Sequence, residues 1–108
     1  MTDRVVGFAV IYRWRLKAGM EAQFAAAWSE VTDQLLQHRG SLGSRLHRGP
    51  DEVWYGYAQW PSAEARTAAF ADPIASAARQ RMLEAIDESL PDILLEPVAD
   101  YLVLPDSP

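Results

Sequence analysis

Residues 52–60, Glu-Val-Trp-Tyr-Gly-Tyr-Ala-Gln-Trp, constrain this chain more than any other segment, because they read as a strand with no polar side to turn toward water. Successive side chains of a strand point to opposite faces, so Trp54, Gly56, Ala58 and Trp60 share one face while Val53, Tyr55, Tyr57 and Gln59 share the other. A segment near the amino terminus behaves alike, with Phe8, Val10, Tyr12 and Trp14 opposite Gly7, Ala9 and Ile11. A sheet built from such strands has to be covered twice.

The rest of the chain supplies cover for one face. The β-branched and aromatic run over 5–16 ends at Lys17-Ala18-Gly19, and the period then changes: Phe24, Trp28, Val31 and Leu35 recur at helical spacing over 20–37. Arg39-Gly40 stops that helix. Strands over 42–48 and 52–60 flank the turn residues Gly49-Pro50-Asp51 and form a hairpin. Pro61-Ser62 ends the sheet, and Ser62 is placed to cap a helix over 62–70. Asp72-Pro73 interrupts and restarts the pattern, so that Ile74, Ala78, Met82, Ala85 and Ile86 line one stripe of a helix over 73–89. Leu90-Pro91-Asp92 ends it, and 94–104 is apolar enough for a last strand, with Pro97 at an edge or bulge.

The order β-α-β-β-α-β is that of the ferredoxin-like α+β fold, a four-stranded antiparallel sheet with helices on one face. The second face calls for a partner, most simply another copy packing sheet against sheet as a homodimer. At 108 residues the chain amounts to a single domain, 1–108. A net charge of −5 repels phosphate backbones and anionic lipid, which argues against nucleic-acid and membrane partners. The chain has no cysteine, hence no disulfide, thiolate nucleophile or sulfur-ligated metal, and a cytoplasmic location is expected. The longest apolar run, Val5 to Tyr12, is too short for a membrane span and lacks the cleavage site of a signal peptide.

Between Trp54 and Trp60, the small residues Gly56 and Ala58 leave room for a flat aromatic ligand beneath the helices. The competing reading is that the alanines at 65, 68, 69, 77, 78 and 85 pack against those small residues and close the gap. His38 and His47 fall on different elements with no ligand-spaced partner, so no metal site is expected. Asp51-Glu52 and Asp87-Glu88 read as solvated charge. Nothing resembles a phosphate loop or a serine-centred elbow.

The segments Arg13-Trp14-Arg15-Leu16-Lys17-Ala18-Gly19-Met20-Glu21 and Tyr57-Ala58-Gln59-Trp60-Pro61-Ser62-Ala63-Glu64-Ala65, with the element order, resemble the antibiotic biosynthesis monooxygenase domain of the dimeric α/β-barrel superfamily. The resemblance spans Val6 to Val103. It implies a dimeric barrel and one of several activities: cofactor-independent oxygenation of anthrones or quinols, haem degradation, or roles never assigned. Haem-degrading relatives carry an Asn on the first strand, a Trp early in the second helix and a His further along; this chain has Tyr12, Ala69-Phe70 and Arg79 there, and no Asn anywhere. Anthrone oxygenases place an Asn four residues before the strand-end Trp and a Tyr six after it. Here Trp60 matches, while Gly56 and Arg66 stand in the other two places.

The reading that follows is a monooxygenase needing no cofactor, acting with O₂ on a small phenolic, quinol or anthrone-like aromatic whose own anion donates the electrons. Trp54, Gly56, Ala58, Trp60 and Phe70 would bind the ring, Tyr12 would hydrogen-bond its oxygen, and Arg66 or Arg79 would stabilise the anion. A ligand-binding or stress-related barrel without catalysis, or a polyketide cyclase, is the alternative.

Overall fold

A computed structural model describes residues 6–71 and 76–103. Strand β1 (Phe8–Leu16) is followed by helix α1 (Glu21–His38), strands β2 (Ser44–Arg48) and β3 (Trp54–Trp60), helices α2 (Ala63–Ala71) and α3 (Ala77–Glu84), and strand β4 (Ile86–Leu95). The four strands form one antiparallel sheet in the order β2-β3-β1-β4, the ferredoxin-like arrangement. Among the described residues no helix is long and apolar enough to cross a membrane.

Local chemistry accounts for most boundaries. Gly40, at φ 80°, takes the left-handed conformation beyond the end of α1 that a Cβ would oppose. In the hairpin the Asp51 carboxylate accepts from the Val53 amide at 3.2 Å and from the Tyr55 hydroxyl at 3.0 Å. This holds the turn although Glu52 adopts a φ of 64° without being glycine. The Ser62 hydroxyl accepts from the Ala65 amide at 3.0 Å, capping α2 as expected.

The last third of the chain departs from the sequence reading. The expected helix over 73–89 is shorter: it starts after Ser76, whose hydroxyl accepts from the Arg79 amide at 3.0 Å, and stops at Glu84. Asp72, Pro73 and Ile74 lie outside the described residues. The final strand is Ile86–Leu95 rather than 94–104, and it runs along β1 from Leu16↔Ile86 to Ala9↔Leu95. Ala85 and Ile86 continue the spacing of the helical stripe, yet ladder pairing with β1 takes over at Ile86. Pro91, which has no N–H to give, falls where the register shifts between Ile11 and Arg13 on an edge strand. Its carbonyl accepts from Arg13 Nη2 at 2.8 Å.

The helices cover the sheet face carrying the even-numbered residues of β1 and β3. Val10, Ala58, Trp60 and Ala69 form a buried cluster there, with Phe8 and Tyr12 packed against it. Phe24 and Ala27 bury the sheet-facing stripe of α1. On the opposite face, Ile11, Tyr55 and Tyr57 are only half-buried and line shallow grooves shared with Tyr101 and Leu102 of the carboxy-terminal segment.

Candidate functional site

The register of the sheet determines which aromatic side chains can meet. Tyr12 stands opposite Gly56, Val10 opposite Ala58, Phe8 opposite Trp60 and Trp14 opposite Trp54, all on the helix-covered face. Between this face and the helices lies a cavity of about 180 Å³, lined by Tyr12, Trp14, Gly56, Ala58 and Trp60 from β1 and β3, Ser44 from β2, Trp28, Val31, Thr32 and Leu35 from α1, Phe70 from α2 and Met82 from α3. The apolar majority with a few polar atoms is the usual make-up of a small-molecule site.

Both readings of the gap beside Gly56 and Ala58 are realised in part. Ala69 of α2 joins Val10, Ala58 and Trp60 in one buried cluster, as alanine packing required, while Ala58 and Trp60 also line the cavity. Beside Gly56 it is taken by the edge of the Trp14 indole: a Cβ at position 56 would lie 2.9 Å from Trp14 Cη2 and 3.1 Å from Cζ3. What stays open is the region between these contacts and α1.

Tyr12 and Arg66 come together. Arg66 Nε donates to the Tyr12 hydroxyl at 3.0 Å, and Nη2 reaches the Asp92 carboxylate at 2.8 Å. The guanidinium carbon lies 5.4 Å from the ring centres of both Tyr12 and Phe70, a cation held over two aromatic faces. Burial pushes the Tyr12 phenol above its ordinary value of 10.0, and the hydrogen bond and charge of Arg66 oppose that rise without cancelling it. Tyr12 is therefore a neutral donor at physiological pH. The Trp60 indole N–H also acts on the phenol but does not reach hydrogen-bonding geometry, so Trp60 Nε1 is buried with no partner. Phe70 packs edge-on against Trp60 with ring centres 5.8 Å apart.

Two residues expected at the site lie elsewhere. Trp54 shares the strand face of Gly56 but does not line the cavity; it packs edge-on against Phe24 at 6.1 Å, takes the Arg48 guanidinium over its ring at 5.0 Å, and borders an outer groove with Arg15 and Asp87. Arg79 borders a separate surface hollow with Ser76, Ala77, Gln80 and Arg81, away from Tyr12. Several residues at the site are not among those the sequence singles out, Trp14, Trp28 and Asp92 foremost. Trp14 and Trp28 had a signal: one has the strand parity of Tyr12, the other lies in the apolar stripe of α1. Asp92 had none, because its strand was read as a helix end. Among the described residues no group of three or more His, Cys, Asp or Glu is placed to hold a metal.

Solved structures of similar architecture include the cofactor-independent oxygenase SnoaB of Streptomyces nogalater, 15% identical with a TM-score of 0.73, covering 90% of this chain and 98% of its own. The monooxygenase from the gene ActVA-Orf6 of Streptomyces coelicolor, solved in complex with nanaomycin D, is 22% identical with a TM-score of 0.69 over 94% of each chain. A protein of unknown function from Nitrosomonas europaea is 16% identical with a TM-score of 0.68, over 95% of this chain and all of its own, 100%. These likenesses establish the fold. No curated protein sequence matches the chain. The family model described as antibiotic biosynthesis monooxygenase matches residues 7–81, which takes in β1, the hairpin, α2 and every cavity-lining residue but Met82, and the chain belongs to that family.

Proposed function

We propose that this protein is a cofactor-independent monooxygenase that oxidises a small phenolic or quinol-type aromatic with O₂, the ring lying in the cavity between sheet and helices. The observation that carries the reading is the Tyr12–Arg66 pair at an otherwise aromatic cavity. Arg66 can only donate, so its bond to Tyr12 uses an oxygen lone pair and leaves the phenol's own proton free for a substrate oxygen. Family membership and the fold shared with SnoaB and the ActVA-Orf6 monooxygenase support the same chemistry.

The stoichiometry needs no external reductant. A phenol with a ring C–H para to its hydroxyl becomes a quinone: one atom of O₂ becomes the new carbonyl, and the other leaves as water with the phenolic and the ring hydrogen. The substrate supplies all four electrons. It gives up its phenolic proton to water, and the phenolate passes one electron to O₂. The resulting radical and superoxide join at the para carbon, and the superoxide-derived oxygen takes up a proton. Loss of the ring proton then breaks the O–O bond and expels hydroxide, which is protonated to water. Tyr12 holds the phenolate oxygen, Arg66 orients Tyr12 and, by donating to its oxygen, makes its O–H the stronger donor, and the ring-lined cavity keeps water from the radical pair. Trp60 serves as wall, with its unpartnered N–H as a second donor.

The working unit in this reading is a homodimer formed through the sheet face of Ile11, Tyr55 and Tyr57, which no helix among the described residues covers and whose apolar side chains are flanked by Arg45 and His47. The test is ¹⁸O₂ uptake by metal-free protein with a panel of phenols. One labelled atom per quinone supports the reading. Binding without oxygen consumption indicates a ligand-binding barrel, and turnover under nitrogen indicates a cyclase.

A further inference from the structure

The size of the cavity and the packing of one indole narrow the substrate class. An apolar cavity of about 150 Å³ accommodates benzene, whereas pockets for drug-sized ligands run to about 300–1,000 Å³. At about 180 Å³ the space here matches one substituted ring and falls short of three fused rings.

What limits it is Trp14. Its indole stacks on Tyr12, with ring centres 6.0 Å apart and planes 18° from parallel, and meets Phe24 edge-on at 5.1 Å. Its far edge rests on Gly56, where a Cβ would lie 2.9 Å from Cη2. Trp28 Nε1 is 3.6 Å from the same point, and both indoles line the cavity. The volume released by the missing side chain at position 56 is therefore spent on Trp14, and the wall so made is braced by Tyr12 and Phe24.

We propose that Trp14 is the specificity-determining residue that restricts the cavity to single-ring phenols and hydroquinones. The site is the one described under the proposed function, but the size limit concerns binding and stands whether or not oxygen is consumed.

The experiment titrates wild type, Trp14→Phe and Trp14→Ala by calorimetry under nitrogen with methylhydroquinone, 1-naphthol and anthrone, and measures oxygen uptake in parallel with 2-methylphenol, 1-naphthol and anthrone, each of which carries the C–H para to oxygen that the insertion requires. Buried apolar area alone favours the largest ligand, so preference for one ring is diagnostic. Wild type is expected to bind methylhydroquinone about tenfold or more tighter than anthrone, and Trp14→Ala to reverse that ratio by a similar factor. Trp14→Phe, the milder change, is expected to fall between them and carries the test if the alanine variant does not fold. Anthrone bound by wild type as tightly as methylhydroquinone overturns the inference, as does a ratio unchanged in a folded variant. Size selection without oxygen uptake supports it while removing the monooxygenase reading. Oxygen uptake with anthrone in wild type keeps that reading and overturns the size limit, and binding of no ligand at all overturns both.

Discussion

Arg66 donates from Nε to the Tyr12 hydroxyl at 3.0 Å, joining a helix residue to a strand residue 54 positions earlier in the chain. The contact occupies a lone pair of the phenol oxygen and sets the guanidinium against Tyr12, which lines the cavity. Asp92 holds the other end of the guanidinium at 2.8 Å, so the three side chains form a line from β4 through α2 to β1.

With Tyr12 donating a hydrogen bond to the phenolate oxygen, Tyr12→Phe is expected to lower kcat by about 100-fold with little change in KM, the range for loss of one donor from a dry site. Arg66→Ala lowers kcat less, because Tyr12 persists without its orienting partner. The double variant is expected to be no slower than Tyr12→Phe, since Arg66 acts through the hydroxyl. Steady-state oxygen uptake on the three proteins is the check, and additive losses would mean that Arg66 touches substrate by itself.

The raised Tyr12 value also predicts an alkaline stability loss. The folded chain holds this proton more tightly than the unfolded chain, so the contribution is complete below the ordinary tyrosine value of 10.0 and declines as pH rises through the higher folded value. Urea unfolding followed between pH 8 and about 11 should show a shallower fall for Tyr12→Phe than for wild type. Equal slopes would show that Tyr12 titrates alike in both states.

Gly56→Ala places a Cβ 2.9 Å from the Trp14 ring and is expected to destabilise the fold by about 1–3 kcal/mol, as overpacked cores do. In a Trp14→Phe background the cost should shrink, because the smaller ring vacates that space. A double-mutant cycle by urea denaturation measures the coupling. Strict additivity would mean that Trp14 is not the neighbour that resists the added methyl.

For the dimer, Tyr57→Asp is expected to yield monomers in sedimentation at micromolar concentration, where wild type gives twice the chain mass. Burying an unpaired carboxylate between two sheets costs several kcal/mol, enough to dissociate them. Wild type sedimenting as a monomer would remove the sheet-face interface.

The sequence by itself determined the order of elements through Ala71, the hairpin, the Ser62 cap and the sharing of one face by Tyr12, Gly56, Ala58 and Trp60. All of these depend on local period, on turn chemistry or on alternation along a single strand. It also pointed to the membership that the match over residues 7–81 established. The tertiary structure decided the position of β4, an edge strand so exposed that it lacks the alternation of a half-buried one and whose first residues extend a helical stripe. It decided too that Trp14 rather than Trp54 borders the cavity, because antiparallel register and the tilt of an indole over Gly56 are relations between strands. Arg66 and Arg79 were equal candidates along the chain. Only the packing of α2 over β1, with Asp92 arriving from a relocated strand, set Arg66 beside Tyr12 and left Arg79 on the outside.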